Sequence, residues 1–362
     1  MDTLKYKRLK LVIKNNIRDG IWKSGEKVPS ERSLCEQFGI SKITVKKAKD
    51  DLLIEGLLEN LPGRKGVFVK RACRTPSKGL VGVAIDDVND PHFAPILKGI
   101  EDKLWENKLH TILCNASHDV EKVEAYFRSL VQQQVAGVIF TPSRGPDYIE
   151  NNRRILNMLT EHQIPYVLVD RYIQGLCSNA VVSNNHQGSQ DLTTHLLERG
   201  HKRILLVTGE DCSSIADRLQ GYLQALRNAG ISPDPCLIIQ AQELLLEERN
   251  ARRQQELERL RALVQQAGDF SACYTLNSLL LKVALQIIFP KEPSTKQPIA
   301  IASYDYGLPE VIRLTNRVIV VKQPSYRMGW EAARLLVETL NNPDLPVMQI
   351  TLKSDIVEEV IE

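Results

Sequence analysis

Carboxylates, guanidinium groups and amides recur in this sequence just after short apolar runs. Asp86, Asp87 and the tetrad Asp90-Pro91-His92-Phe93 follow the run 80–85, and Asp170-Arg171 follows 166–169. Arg218 opens a helical stretch after the run 204–208, while Asn277, Asp305 and Gln323 follow 272–275, 299–303 and 318–321. Each hydroxyl of a sugar both donates and accepts a hydrogen bond, and the C–H face of its ring stacks on an aromatic side chain. Mixed acids, guanidiniums and amides beside an aromatic therefore point to polyol binding. Read singly, these residues are ordinary: Asp305 fits a turn and Arg218 a helix-start surface charge.

Enzyme signatures are missing from the sequence. It contains no Gly-x-Ser-x-Gly, Gly-x-Gly-x-x-Gly or His-Glu-x-x-His. Gly20 and Gly25 have the spacing of a phosphate loop, but Glu26 stands where that loop needs lysine. His110, His118, His162, His186, His195 and His201 show no metal-ligand spacing, and the seven cysteines form no Cys-x-x-Cys pair. The expectation is a protein without catalysis, cofactor or metal.

The elements that must position the polar residues form a regular series. Ten apolar strand-like runs (80–85, 111–115, 137–140, 166–169, 180–182, 204–208, 237–240, 272–275, 299–303 and 318–321) alternate with amphipathic stretches such as 96–107, 119–133, 189–199 and 218–229. Such alternation predicts parallel sheets covered by helices, and ten strands divide naturally between two sheets. Ligands bind such sheets at the carboxyl ends of the strands, where the polar residues lie. The charged stretch 243–266 reads as a solvated helix.

The first seventy residues differ. Residues 1–74 hold 18 Lys and Arg against 9 Asp and Glu, a net of +9, whereas the whole chain of 362 residues carries +3. A basic segment on an acidic body suggests that one part meets a polyanion. Tyr6, Leu9, Val12, Ile13 and Ile17 fall at helical spacing, a second short helix follows Pro29-Ser30-Glu31-Arg32, and Gly39 makes a tight turn. Val45, Ala48, Leu52 and Leu53 then form the buried stripe of a third helix, with Lys42, Ile43, Thr44, Lys46 and Lys47 on its other face. Two short strands, 57–59 and 67–69, flank Pro62-Gly63-Arg64-Lys65-Gly66, a cationic hairpin tip suited to phosphates or a minor groove. Residues 71–79, with Cys73 among them, read as a flexible linker.

The run GIWKSGEKVPSERSLCEQFGISKITVKKAKDDLLIEGLLENLPGRKGVFV resembles the winged helix-turn-helix domain of the GntR family along its whole length. The resemblance implies contacts to operator DNA from Arg32, Ser41, Lys42, Thr44 and Lys46, and from the wing tip Gly63, Arg64, Lys65 and Gly66. The family usually has arginine where Lys42 and Lys46 stand, and a hydroxyl residue where Ile43 stands. Lysine lacks the fork that grips guanine, so the resemblance implies DNA binding but not which operator is preferred.

From about residue 80 the chain resembles the effector domain of the LacI/GalR repressors, itself similar to periplasmic sugar-binding proteins. VGVAIDDVNDPHFAPILKGIED, LVQQQVAGVIFTPS, PYVLVDR, RGHKRILLVTG and KQPSYRMGWEAARLL carry the likeness. It implies effector contacts from Asp90, His92, Phe93, Asp170, Arg171, Arg218, Asn277, Asp305 and Gln323. In that reading Asp170 and Asp305 take hydroxyls at opposite ends of the ring, Phe93 stacks on it, and His92 replaces a second aromatic. Asn184-Asn185 resembles the hinge between subdomains.

The expected architecture is α/β: a small winged helix-turn-helix domain over 1–70, a linker over 71–79, and a two-lobed periplasmic-binding-protein-like domain over 80–362 with two parallel sheets. Arabinose-responsive repressors pair the same two modules. The resemblance implies a cytoplasmic, homodimeric repressor that reads a palindromic operator and is released by a pentose or deoxyhexose, with no membrane involved. A regulator of nucleoside or purine response and a non-regulatory sugar receptor are the alternatives.

Overall fold

The computed structural model describes residues 2–18, 21–22, 25–55, 57–61, 64–69, 79–116, 119–242, 251–288, 299–305 and 317–360. They fall into two compact units, Met1–Thr75 and Pro76–Glu362.

The first unit holds α1 (Asp2–Arg18), α2 (Glu31–Phe38), α3 (Lys42–Ile54) and an antiparallel hairpin of β1 (Leu58–Asn60) and β2 (Val67–Val69). Leu9 and Ile13 of α1 meet Leu34 of α2, Val45, Ala48 and Leu52 of α3, and Leu58 and Val69 of the hairpin in one core. Ser30 Oγ accepts from the Ser33 amide at 3.1 Å and Ser41 Oγ from the Thr44 amide at 3.3 Å. Each hydroxyl satisfies a donor that a helix start leaves open. Gly39, at φ 60°, turns α2 into α3. Lys27 bridges to Phe68, so residues 25–28 extend the wing beyond the hairpin.

Thr44 departs from the expected face. It is buried, with its hydroxyl 2.8 Å from Ser41 Oγ, because the first turn folds both hydroxyls onto the cap. Lys49 is buried too and donates to the Pro29 carbonyl at 2.7 Å. Gly63 and Cys73 lie outside the described residues.

The second unit contains two six-stranded sheets. The first runs β13-β7-β6-β5-β3-β4, all parallel, from β3 (Leu80–Ile85), β4 (His110–Asn115), β5 (Gly137–Phe140), β6 (Tyr166–Val169), β7 (Ala180–Ser183) and β13 (Gln349–Leu352). The second runs β14-β12-β11-β10-β8-β9, from β8 (Ile204–Thr208), β9 (Ile238–Gln240), β10 (Ala272–Thr275), β11 (Ala300–Tyr304), β12 (Arg317–Lys322) and β14 (Asp355–Val360). Here only β14 is antiparallel, along β12. The ten expected runs are strands; β13 and β14 are additions.

Helices cover both sheets, as parallel pairing requires. On the first lie α4 (Phe93–Glu106), α5 (Val120–Gln132), α6 (Tyr148–Glu161) and α11 (Ser325–Asn341). On the second lie α7 (Asn185–Glu198), α8 (Ser213–Asn228), α9 (Ala251–Ala267) and α10 (Ser278–Ile288). The α9 helix is not the fully solvated helix expected over 243–266. Leu257 and Leu260 enter the core, and buried Glu256 accepts from the Gln242 amide at 2.9 Å and from Arg259. The chain passes between the sheets after β7, after β12 and after β13. Ser183, Asn185 and Gln323 lie at the first two of these crossings and are buried.

Candidate functional site

In each sheet the first strand lies inside the order, with the next strand on one side and later strands on the other. Open α/β sheets bind ligands at the strand ends beside that reversal. The ends of β3 and β8 meet the ends of β5, β6, β10, β11 and β12 around a cavity of about 230 Å³. Asp90, His92, Phe93, Asp170, Arg171, Arg218, Asn277, Asp305 and Gln323 all line it.

Two of the carboxylates stand on matching backbone. Asp170 (φ 71°) and Asp305 (φ 84°) both follow a strand in a conformation that side chains other than glycine seldom adopt. Each amide donates to the neighbouring strand at 2.9 Å, Asp170 to the Val181 carbonyl and Asp305 to that of Val321. Backbone of this kind costs of order 1–3 kcal/mol per residue and persists where the surroundings over-determine it. Here it aims one carboxylate from each lobe into the cavity.

His92 sits between them. Its Nε2 is 2.8 Å from Asp170 Oδ1, its Nδ1 is 2.9 Å from Ser325 Oγ, and Asp305 Oδ1 is 3.9 Å from Nδ1. The ring meets Phe93 edge-on at 5.1 Å. His92 therefore braces the acids rather than offering a second stacking face. Burial opposes its charge, but Asp170, Asp305 and Asp90 outweigh burial and raise its pKa from 6.5 to about 9. Burial likewise favours a neutral Asp170; His92, Arg171 and Arg218 overcome this and hold its pKa below the ordinary value.

The raised histidine pKa has a measurable consequence. Stabilisation from protonated His92 is complete below its unfolded pKa of 6.5 and is lost as pH rises through about 9. We expect the melting temperature of the second unit to fall across that window, and His92→Gln to remove this part of the slope. Equal slopes for the two proteins would contradict the assignment.

The arginines are held rigidly. Arg171 donates to the Pro142 carbonyl at 2.9 Å and to Asp86 Oδ2 at 3.0 Å, with its Nε 3.4 Å from Asp170 Oδ2. Arg218 lies inside α8 rather than at its start. Its Nε donates to Asn185 Oδ1 at 2.7 Å, and Nη1 donates to the Leu276 carbonyl at 2.6 Å. The guanidinium rests 3.6 Å above the centre of the Tyr304 ring. These two bonds use two of its five N–H groups. Gln323 donates to Asp305 and accepts from Ser183 Oγ, which lies 3.2 Å from Asn185 Oδ1. One network thus joins Asp305 to Arg218 through residues at the lobe crossings.

Several lining residues were not among the expected contacts. Asp86 and Asp87 stood out after β3 but were not assigned contacts; Arg144, Ser214 and Lys282 were not singled out. Arg144 follows β5, so the strand-end rule that found Asp170 would have found it. With these residues the lining carries five aspartates, three arginines, one lysine and protonated His92, which balance. Among the described residues no group of three or more His, Cys, Asp or Glu could hold a metal ion, and no helix is long and apolar enough to cross a membrane.

On the first unit, Arg32, Lys42 and Lys46 are exposed, as are Ser41, Arg64, Lys65 and Gly66. Arg32 pairs with Glu36 at 3.0 Å, one turn along α2. Lys27, Arg32, Lys42, Lys49 and Lys65 surround a groove between the start of α2 and the wing, with Glu31 as its acid.

Comparison with known proteins accords with both units. Residues 78–353 match the family described as periplasmic binding proteins and sugar binding domain of LacI family, and residues 5–69 match the bacterial regulatory proteins of the gntR family. The chain is 27% identical over 349 residues to an arabinose metabolism transcriptional repressor of Geobacillus stearothermophilus, covering 93% of this chain and 91% of the relative. It is 23% identical over 276 residues to the HTH-type transcriptional repressor PurR of Aliivibrio salmonicida, covering 76% of this chain and 78% of that one. A LacI family transcriptional regulator from Enterococcus faecium with bound ribose superposes with a TM-score of 0.60 at 23% identity, covering 77% of this chain and 96% of the other. The chain belongs to the LacI family of periplasmic-binding-protein-like domains, carries a GntR-family domain at its N-terminus, and is a transcriptional regulator rather than an enzyme.

Proposed function

We propose that the protein is a cytoplasmic repressor of carbohydrate-utilisation genes that releases its operator when a neutral monosaccharide binds between the lobes. The observation that carries this reading is the charge-balanced cavity at the strand ends. Its acids and guanidiniums are held by protein partners and still offer unused donors and acceptors, the environment that suits a polyol. In this reading Asp170 and Asp305 accept from sugar hydroxyls, Arg171, Arg218 and Asn277 donate, and Phe93 covers the ring. Asp90 and His92 shape the wall, and Gln323 orients Asp305. A pentose or deoxyhexose is the preferred class, supported by the arabinose repressors among the relatives.

A DNA-binding domain over residues 1–70, within the first unit, would bind DNA through Arg32, Ser41, Lys42 and Lys46 and the wing residues Gly63, Arg64, Lys65 and Gly66. Thr44 would act by fixing the cap of α3. Residues 71–79 link it to the effector domain, 80–362. A homodimer reading a palindromic operator follows from the two-fold symmetry such regulators share with their sites. Ligand binding to the closed form of the lobes would shift the population away from the DNA-binding form.

The test is to select duplexes from a random pool with the purified protein, then to titrate monosaccharides, sugar phosphates and nucleosides into the labelled complex. Release by one neutral sugar is the expected result. Release by nucleosides or purines alone would replace the sugar with that class, and failure to select any sequence would remove the DNA-binding role. In the same assay Lys46→Ala should weaken binding and reduce the log–log salt slope by about 1 per protomer. An unchanged slope would count against a phosphate contact there.

A further inference from the structure

We infer that Ile43 reads the C5-methyl group of thymine in the major groove and so fixes a T·A pair in each half-site. This rests on the DNA-binding reading of the first unit. Ile43 is the second residue of α3 and is 82% exposed, one of the most exposed large apolar side chains among the described residues. Its neighbours on the exposed face of that helix are Lys42, Lys46 and Lys47, all cationic. An apolar protein partner would have to cover those charges; a nucleic acid neutralises them.

The chemistry of the first turn narrows the choice further. The hydroxyls of Ser41 and Thr44 bond to each other, Ser41 also caps the helix, and Thr44 is buried. The start of α3 therefore presents lysine ammonium groups and one branched hydrocarbon. Lysine can reach phosphates or the acceptors of guanine. Isoleucine neither donates nor accepts, and in the major groove the apolar feature available to it is the thymine methyl. Placed against a donor or acceptor instead, it would strip that base edge of water and return no hydrogen bond.

The experiment starts from the duplex that the wild-type protein selects out of a random pool. Each thymine is replaced in turn by deoxyuridine, which deletes the methyl and keeps the pairing, and binding is read by fluorescence anisotropy. One symmetry-related position should weaken wild-type binding roughly fourfold per half-site, the value of one buried methyl group. Ile43→Ala should bind more weakly and be indifferent to deoxyuridine at that position. Because Ile43 is exposed, that variant should melt with the wild type, so loss of folding is recognisable. Deoxyuridine tolerated at every position, or an Ile43→Ala variant that stays sensitive, would overturn the assignment while leaving sequence-specific binding intact. A protein that selects no sequence would instead overturn the underlying reading.

Discussion

Arg218→Ala is expected to lose effector affinity by at least about 30-fold while binding the operator within a few-fold of wild type. The expected size follows from where the guanidinium sits. It is 3% exposed, donates to Asn185 and to the Leu276 carbonyl, and lies 3.6 Å from the centre of the Tyr304 ring. Removing one partner of a buried, hydrogen-bonded charged group costs about 2–5 kcal/mol, and 1.4 kcal/mol is tenfold in affinity. The truncation also takes from the Leu276 carbonyl its arginine donor, about 1–3 kcal/mol. A lower melting temperature should therefore accompany the lost response. Operator binding should survive because the proposed DNA-binding residues belong to the other compact unit. A variant that still left DNA at the wild-type effector concentration would show that the pocket is misplaced.

Gly329→Ala should be the most damaging of the small substitutions in the first lobe. A Cβ at position 329 would lie 1.9 Å from the Ile96 carbonyl oxygen, and one at Gly99 would lie 2.1 Å from that of Tyr326. The α4 and α11 helices therefore cross backbone to backbone at these two glycines, and no rotamer change can make room. Overpacking costs about 1–3 kcal/mol where side chains can yield, and a rigid backbone contact lies at or above the top of that range. At roughly 2–4 °C per kcal/mol for a domain of this size, the melting temperature should drop by about 10 °C. The displacement would also reach the cavity, because α11 begins at Ser325, whose hydroxyl holds His92. Melting within two degrees of wild type would mean that the helices cross less closely than described.

The sequence made the site more legible than the path of the chain around it. Strand-end placement found Asp170, Arg171, Asn277, Asp305 and Gln323 because strands buried on both faces read as continuous apolar runs, and the polar residues just past each run stand out by contrast. The same contrast fails for β13 and β14. Their residues, QITL and DIVEEV, alternate with polar or charged side chains at sheet edges and resemble loop text. Arg259 and the other charges of α9 hid the buried pair Leu257 and Leu260 in the same way.

Roles were harder to read than positions. Thr44 has the spacing of an outward residue, but a hydroxyl three positions after a capping serine can turn back onto the cap. His92 reads as a weakened stacking partner until the approach of Asp170 and Asp305 is known. The His92–Asp170 bond joins residues 78 apart in the chain, and no local pattern carries it. Ser183, Asn185 and Gln323 brace the cavity only because the chain crosses between lobes at those residues.

Thermal melting of the intact protein against monosaccharides, sugar phosphates and nucleosides, with Arg218→Ala alongside, tests the proposed sugar site most directly. A ligand at 100 times its dissociation constant adds roughly 2.7 kcal/mol, or about 5–10 °C for a unit of this size. The expected result is a rise of that order with one neutral monosaccharide, absent in Arg218→Ala. A rise only with nucleosides or sugar phosphates, or one that Arg218→Ala retains in full, would contradict it.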